Sequence, residues 1–309
     1  MVFVVIYQID KSRFFMYNTA MKILIVPEKY NNKKLINYLQ DTYHSLSSST
    51  IYKTLRKKDI RINDKRISDN CLLKTGDEIK VYIADDILEP KLDIPIVYED
   101  DNIVVFDKPV GIEVTGDNSL ATYAKKEYSS FIEPCHRLDR NTSGLVIFAK
   151  NENSLKSLLD AFKNHLIEKH YIALVCGIPT EKSKRLEAYL FKDAKKAMVY
   201  ISDKPLSKYQ KIITSYRIIK INKEKNLSLL DVTLETGRTH QIRAHLAHIG
   251  HPIIGDGKYG INEINKKFKE KTQLLSSYSL SFNFSNEDPL NYLNNLTFKQ
   301  KNIPFSNLI

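Results

Sequence analysis

The 309-residue chain carries 47 Lys and Arg against 36 Asp and Glu, which gives a formal net charge of +11. This positive balance indicates a polyanionic partner, either nucleic acid or anionic lipid. Hydrophobic residues make up 42% and charged residues 27%, as in ordinary globular proteins, and we expect no membrane span. A disulfide framework is not expected because the three cysteines, Cys71, Cys135 and Cys176, are few and widely spaced, so a reducing cytoplasm fits best.

Residues 1–20 contain a short apolar run but lack the features of a signal peptide. There is no basic n-region before the run and no small-residue cleavage site after it. Met21 stands directly before the strand-like run Lys22–Val26. We therefore interpret the first 20 residues either as an extension from an upstream start or as a disordered leader.

Residues 21–84 are predicted to form a small domain of helices and strands. The helices are predicted from apolar residues at helical spacing, and the strands from short apolar runs beside turn residues. In chain order, the predicted elements are a helix over Lys33–Tyr43, a helix through Ile51 and Leu55, a strand at Ile60–Ile62, an Asn63-Asp64 turn and a strand at Glu78–Ile83.

The second of these helices ends in a basic segment that continues into the following hairpin. Six Lys or Arg and two Asp lie between Arg56 and Arg66; such a run is often only a solvated surface. The order of helix, basic helix end, strand, turn and strand resembles the S-four-type RNA-binding domain, also called the alpha-L motif. The resemblance implies sequence-independent phosphate contacts from Lys53, Arg56, Lys57, Lys58 and Arg61.

The pattern changes after residue 84. Residues 85–95 are polar, contain two prolines and are predicted to be a linker. Two short strands around an acidic turn follow within residues 96–108, and the second runs into the loop Lys108-Pro109-Val110-Gly111. We assign residues 96–309 to one further domain.

A charged cluster then precedes a predicted core strand. Asp139 is flanked by Arg137 and Arg140, and the apolar run Leu145–Ala149 that follows predicts a buried strand. Neighbouring positive charge favours the ionised carboxylate, which suits a nucleophile or an electrostatic stabiliser. From these residues alone, a structural ion pair explains the cluster equally well. Cys135 is a weaker candidate nucleophile because its apolar neighbour gives no reason for a depressed thiol pKa.

Beyond residue 150 the chain alternates less regularly between helices and strands. Several strands with two or three helices predict an α+β fold with a mostly antiparallel sheet. The predicted elements are a helix with Leu155, Leu158, Leu159 and Phe162 on one face, strands at Tyr171–Cys176, Leu186–Leu190, Met198–Ser202, Thr214–Asn222 and Leu227–Leu234, and a helix that begins near Thr239.

Histidines are concentrated around this last helix. Their spacing matches no zinc motif and no cysteine pair lies nearby, so we expect no metal site. Histidines on the helix surface or facing RNA are the alternative. The four residues are His240, His245, His248 and His251.

Two segments closely resemble sequence motifs of the RluA family of RNA pseudouridine synthases. They are HRLDRNTSGLVIFAK at 136–150 and GRTHQIRAHLAHIGHPIIGD at 237–256. The strand that runs into Lys108-Pro109-Val110-Gly111 resembles the K-P-x-G loop of the same family. The resemblance covers roughly Ile96–Gly260. The chain departs from the family at Ile112–Gly116, where a Val-His-Pro segment is frequent, and at Leu275–Leu280, where a Leu-His-Ala segment is frequent.

The resemblance implies roles for individual residues. Asp139 would attack the target uridine, Arg243 would pair with this carboxylate, and Tyr171 would stack on the target base, although from the residues alone Tyr171 is a core aromatic. The nucleotide must be flipped out of its stack, and Arg137 would fill the vacated place. The remaining RNA contacts would come from Lys108, Arg140, Arg238 and His240.

The resemblance further implies an isomerase that needs no cofactor, in agreement with a sequence without a Walker loop or a GxGxxG fingerprint. The appended RNA-binding domain favours large-subunit ribosomal RNA as substrate, with tRNA as the alternative, and we expect a monomer. Two rival interpretations are a non-catalytic RNA-binding factor of ribosome assembly and a DNA glycosylase, which would release free uracil.

Overall fold

The protein is described from a computed structural model that covers residues 21–43, 46–83 and 93–309. The chain divides into two compact units with the boundary between Asp93 and Ile94. The predicted leader, residues 1–20, and most of the predicted linker, residues 85–95, lie outside the described residues.

The first unit is a four-stranded antiparallel sheet with two helices. Its sheet has the strand order β1-β4-β2-β3. The apolar faces of the helices and the alternate residues of β2 and β4 form one core. The elements are β1 (Met21–Ile25), α1 (Leu35–Thr42), α2 (Ser48–Lys57), β2 (Ile60–Ile62), β3 (Lys65–Arg66) and β4 (Glu78–Tyr82).

Local capping explains where α2 begins and ends. The Ser47 side chain accepts a hydrogen bond from the Thr50 amide at 3.1 Å, which satisfies one free donor of the first turn. At the other end Lys58 adopts a left-handed conformation and closes the helix. The predicted turn between β2 and β3 has positive φ at both Asn63 and Asp64, as a two-residue hairpin requires.

The second unit contains one large sheet with the strand order β11-β10-β12-β13-β9-β14-β8-β6-β5, to which β15 and β7 add at β14 and β8. Among the described strand pairs only β14 and β8 run parallel. The strands are β5 (Ile96–Glu99), β6 (Ile103–Lys108), β7 (Glu133–Pro134), β8 (Ser143–Ala149), β9 (Ile167–Cys176), β10 (Ser183–Asp193), β11 (Met198–Ser202), β12 (Gln210–Asn222), β13 (Leu227–Leu234), β14 (Leu275–Phe282) and β15 (Thr297–Lys299).

Four helices accompany this sheet: α3 (Leu120–Glu127), α4 (Glu152–Lys163), α5 (Gln241–His248) and α6 (Asn262–Phe268). The α+β class and the mostly antiparallel sheet predicted from the sequence are confirmed. The sequence did not predict α3 and α6, which are short. None of the described helices is both long enough and apolar enough to cross a membrane.

Strands β6 and β8 are buried on both faces. Val104, Phe106, Val146 and Phe148 pack on the side of α3, and the intervening apolar residues of both strands pack on the side of α4. A strand covered on both faces needs an unbroken apolar run, which explains the sequence Leu145–Ala149.

The predicted apolar face of α4 is partly wrong. Leu158 and Ala161 are buried against the sheet, whereas Leu159 is 47% exposed. The buried face of the helix is therefore narrower than its leucine content suggests, and the small residue Ala161 is part of that face.

His245 on α5 links stability to pH. It is almost fully buried beside the Thr214 hydroxyl, with 3.0 Å between Nδ1 and Oγ1, and burial lowers its pKa to about 4. The folded state therefore resists protonation between pH 6.5 and 4, while the unfolded state binds the proton. We expect wild type to lose about 2 kcal/mol more stability than His245→Asn between pH 7 and pH 5, measured by urea unfolding at both values. Equal losses would contradict the role of this side chain.

Candidate active site

Asp139 lies in the loop between β7 and β8, where the sheet meets the start of α5. Its backbone carbonyl accepts from the Thr142 amide at 3.0 Å, and its side chain remains 23% exposed. At the second position of β8, Gly144 has φ +106°, and a Cβ there would lie 2.2 Å from the Ser277 carbonyl oxygen of β14. The close approach of the two parallel strands therefore requires glycine at this position.

Lys108, which the sequence predicted to contact RNA, is occupied by contacts within the protein. Its side chain is fully buried, and Nζ donates to the backbone carbonyls of Pro109 and Ile112 at 2.9 Å and of Arg140 at 3.2 Å. Burial lowers its pKa to about 8, an effect that the charge of Asp139 opposes. With all three ammonium protons donated, Lys108 connects the 109–112 loop to the Asp139 loop and has a positioning role.

Arg243 is the central cation of the site. One guanidinium nitrogen, Nη1, donates to Oδ2 of Asp139 at 2.9 Å, although the two residues are 104 positions apart. Nε and Nη2 donate to both carboxylate oxygens of Asp256, at 2.7 and 3.0 Å. Arg243 is 6% exposed and Asp256 is fully buried. The guanidinium therefore holds Asp139 while being fixed by a second carboxylate.

Asp256 is a site residue that sequence reasoning missed. Besides Arg243, its Oδ1 accepts from the backbone amides of Lys258 and Tyr259, at 2.8 and 3.1 Å. Burial is the largest single effect on the pKa of Asp256 and raises it. The hydrogen bonds and the charge of Arg243 together outweigh burial, so the pKa is lowered. The available signal was a single carboxylate two residues after the apolar Ile253-Ile254 pair, since a buried acid needs a partner.

His240 also faces Asp139, with 3.8 Å between Nε2 and Oδ2. Its Nδ1 lies 2.9 Å from the Tyr259 hydroxyl, which itself accepts from the Val199 amide at 2.9 Å. When the Tyr259 hydroxyl donates its proton to Nδ1, the imidazole proton lies on Nε2, on the side of Asp139. Burial is the largest effect on the His240 pKa and lowers it, so a neutral donor faces the carboxylate.

Tyr171 on β9 is 7% exposed and lines the same cavity as Asp139. Burial, and secondarily the charge of Asp139, raise the pKa of its phenol. The phenol therefore stays protonated at neutral pH. An aromatic face in this position is available for stacking on a base.

Two cavities meet at Asp139. The larger, of about 620 Å³, contains Tyr171, and the smaller, of about 390 Å³, is lined on one side by the 113–115 segment. Both share the residues Arg137, Leu138, Asp139, His240 and Arg243. The larger cavity is within the size range of small-molecule sites and has the carboxylate at its wall.

The remaining predicted arginines lie at the rims. Arg137 is exposed and borders both cavities, Arg238 borders the larger and Arg140 the smaller. Arg140 is anchored by Nε, which donates to the Gly111 carbonyl at 2.9 Å. These side chains surround the carboxylate with positive charge that faces solvent, as phosphate contacts require.

Other groups near Asp139 have structural contacts. The Nε2 of His136 accepts from the Ile147 amide at 3.0 Å, and burial lowers its pKa to about 3. Burial raises the pKa of Cys135 to about 12, which leaves it a poor nucleophile.

Gln241 was not singled out from the sequence. Its side-chain oxygen accepts from the Thr236 hydroxyl and the Arg238 amide and so fixes the turn before α5. Among the residues that the structure describes, no cluster of His, Cys, Asp or Glu is suited to hold a metal ion.

In the first unit, four of the predicted phosphate-contacting residues lie on or directly after α2, and the fifth, Arg61, lies on β2. Lys53, Arg56, Lys57 and Lys58 are exposed, and the Arg61 guanidinium lies 5.2 Å from the centre of the Tyr82 ring. Arg61 and Arg66 are opposite each other on the β2–β3 hairpin. These residues place positive charge at the end of α2 and on the hairpin, accessible to a polyanion.

Comparison with known proteins identifies the family. Residues 102–248 match the family described as RNA pseudouridylate synthase. The chain is 33% identical to the ribosomal large subunit pseudouridine synthase C of Buchnera aphidicola subsp. Schizaphis graminum, over 86% of this chain and 90% of that protein. It is 31% identical to the protein of the same name from Haemophilus influenzae, over 86% and 88%.

An uncharacterized RNA pseudouridine synthase of Mycoplasma genitalium is 31% identical over 91% of this chain and 96% of that protein. The solved structure of human RNA pseudouridylate synthase domain containing 1 has a TM-score of 0.56 at 23% identity, covering 63% of this chain and 80% of that chain, and shows the shared fold. The chain therefore belongs to the RluA family of RNA pseudouridine synthases, enzymes that isomerise uridine in RNA to pseudouridine.

Proposed function

We propose that this protein isomerises specific uridines of large-subunit ribosomal RNA, with Asp139 as the nucleophile. The observation that carries the assignment of Asp139 is its position at the wall shared by two cavities, where Arg243 holds it at 2.9 Å. The names of the relatives from Buchnera and Haemophilus support ribosomal RNA as the substrate class.

The chemistry requires that one glycosidic bond be exchanged for another. The bond between N1 of the uracil and C1′ of the ribose breaks, the detached uracil turns, and a bond forms between C5 and C1′. The proton on C5 leaves and N1 gains one, so no atom is added or lost overall. A single carboxylate is sufficient because no water has to be activated, unlike in glycoside hydrolysis, where a second carboxyl group serves that step.

The surrounding residues would divide the remaining tasks. Arg243 binds the Asp139 carboxylate and directs it at the larger cavity, and Tyr171 stacks on the flipped base. The neutral His240 donates from Nε2 to a substrate oxygen or to Asp139. Arg137, which is exposed at the rim of both cavities, is the candidate to occupy the place that the flipped nucleotide leaves in the RNA stack.

We further propose that residues 21–84 form an S-four-type RNA-binding domain and that residues 96–309 form the catalytic domain. The helix-end and hairpin positions of Lys53, Arg56, Lys57, Lys58 and Arg61 support this assignment. Such contacts add affinity that falls with salt concentration and carry no sequence information. Selection of the target uridine would then depend on the second unit and on the shape of the RNA.

The substrate class is tested by incubating the purified protein with unmodified transcripts of large-subunit rRNA and of tRNA, and mapping pseudouridine chemically in both. A reaction without protein is the control. New pseudouridine at defined positions of the rRNA alone is the expected result. Product only in tRNA would replace rRNA by tRNA as the substrate, and product in neither RNA despite tight binding would contradict the proposed substrate class.

A further inference from the structure

Lys169 is a basic residue of the larger cavity with no role in the chemistry described so far. It lies on β9 two residues before Tyr171, and the two side chains line the same cavity as Asp139. Because side chains two residues apart on a strand point to the same face, the ammonium of Lys169 is presented to the ligand that Tyr171 would hold.

The Lys169 ammonium has no counter-ion. Throughout the part of the chain that the structure describes, no carboxylate or carbonyl lies within hydrogen-bond or ion-pair distance of its Nζ. The ammonium is 5.2 Å from the centre of the Phe162 ring, a contact that compensates only part of the hydration it loses. The other buried cations nearby are paired, Lys108 with three carbonyls and Arg243 with two carboxylates.

The backbone of the turn before α5 passes close to this ammonium. A Cβ at Gly237 would lie 4.0 Å from Nζ, so the turn before α5 approaches Lys169 without a side chain. The half-buried amine is desolvated, which lowers its pKa. The ammonium therefore has weakened hydration and no acceptor from the protein, and an anion bound in the cavity would supply one.

We propose that Lys169 forms a phosphate-binding site for the target nucleotide, which holds a phosphodiester next to the flipped uridine. The inference rests on the proposed function, because a flipped nucleotide carries its own phosphates into the cavity. Lys163 and Arg238 also line this cavity and add positive charge at its rim. Lys169 would fix the depth of the nucleotide and thereby the distance between its ribose and Asp139.

The test uses uridine 3′,5′-bisphosphate as the probe, with uridine as the ligand that lacks phosphate. Binding is measured by ligand-detected NMR titration of the full-length protein, so no turnover is required. We expect Lys169→Met to weaken binding of the bisphosphate at least tenfold and to leave uridine within twofold of wild type. Lys169→Arg, which keeps the charge, is expected to stay within threefold for both ligands.

Lys163→Met is the matched control, since Lys163 lines the same cavity but is exposed. If this control loses less than threefold in bisphosphate affinity, the result supports a specific site at Lys169. If it loses as much as Lys169→Met, the proposal is overturned, because any positive charge of the cavity would then have the same effect. Equal losses for uridine and bisphosphate in Lys169→Met would also overturn it, because they would indicate a deformed cavity.

Thermal unfolding distinguishes a ligand-binding lysine from a structural one. Lys169→Met is expected to be at least as stable as wild type without ligand, because it removes a desolvated charge, and to lose the stabilisation that the bisphosphate gives wild type. A clear destabilisation without ligand would contradict the proposal. The result is independent of whether Asp139 is the nucleophile, since pseudouridine formation by wild type is measured separately.

Discussion

Asp139→Asn is expected to abolish pseudouridine formation while leaving RNA binding within about threefold of wild type. The amide has the shape of the carboxylate but is not a nucleophile, and loss of a central catalytic group typically costs about 10⁴-fold or more in turnover. The amide oxygen still accepts from Arg243, which keeps its two hydrogen bonds to Asp256, so the fold should persist. Single-turnover assays with mapped pseudouridine and a filter-binding Kd measure the two quantities.

Asp160→Asn is a matched control for this substitution, because Asp160 is an exposed carboxylate on α4 that does not line either cavity. We expect wild-type turnover from it. If Asp139→Asn retained turnover within tenfold of wild type, Asp139 could not be the nucleophile. If it lost RNA binding in parallel with turnover, the carboxylate would be needed for the complex rather than for the chemistry.

Asp256→Asn is expected to destabilise the fold by about 3–5 kcal/mol, the typical result of breaking a buried ion pair on one side. All hydrogen bonds to this side chain are donated to its two oxygens, by Arg243 and by the amides of Lys258 and Tyr259. In either orientation of the amide, its NH₂ group meets a donor. Arg243 is then a buried cation without its bidentate partner. Urea unfolding at pH 7 measures the loss.

The same substitution should also lower turnover, because an unfixed guanidinium no longer directs Asp139. Assays well below the melting temperature of the variant separate this effect from unfolding. Asp203→Asn is the control: its carboxylate pairs with His248 at 2.9 Å but is 81% exposed, and exposed pairs contribute less than about 1 kcal/mol. A stability loss for Asp256→Asn as small as that of the control would show that the buried pair does not fix Arg243.

The three charged residues of the site are therefore linked in a fixed order: Asp256 contacts Arg243, and Arg243 contacts Asp139. The fully buried Asp256 fixes Arg243, and Arg243 fixes the one member that reaches the cavity. Substitution of Asp139, which reaches the cavity, should lower turnover alone. Substitution of the buried Asp256 should lower both stability and turnover. Comparison of the two variants tests this order directly.

The sequence by itself determined the elements that depend on neighbouring residues, such as a hydrophobic run or a pair of turn-forming residues. The unbroken apolar run Leu145–Ala149 predicted a buried strand, and the structure covers it on both faces, which explains why the run lacks polar alternation. The Asn63-Asp64 turn was predicted from its turn-forming residues, and both adopt positive φ, which Asn and Asp tolerate. The two charged motifs, through their resemblance to a family, pointed to Asp139 and Arg243 as partners, and the structure places the two side chains in contact.

Only the tertiary structure decided which charged groups remain free. Lys108 was expected to bind RNA, yet three carbonyls from two loops use all its donors. Asp256 was not singled out, yet it holds Arg243, and Lys169 was not singled out, yet it faces the cavity without an acceptor. The sequence gives the chemistry of each side chain and the spacing of apolar residues along the chain. Burial and hydrogen-bond pairing depend on residues brought together from distant parts of the chain.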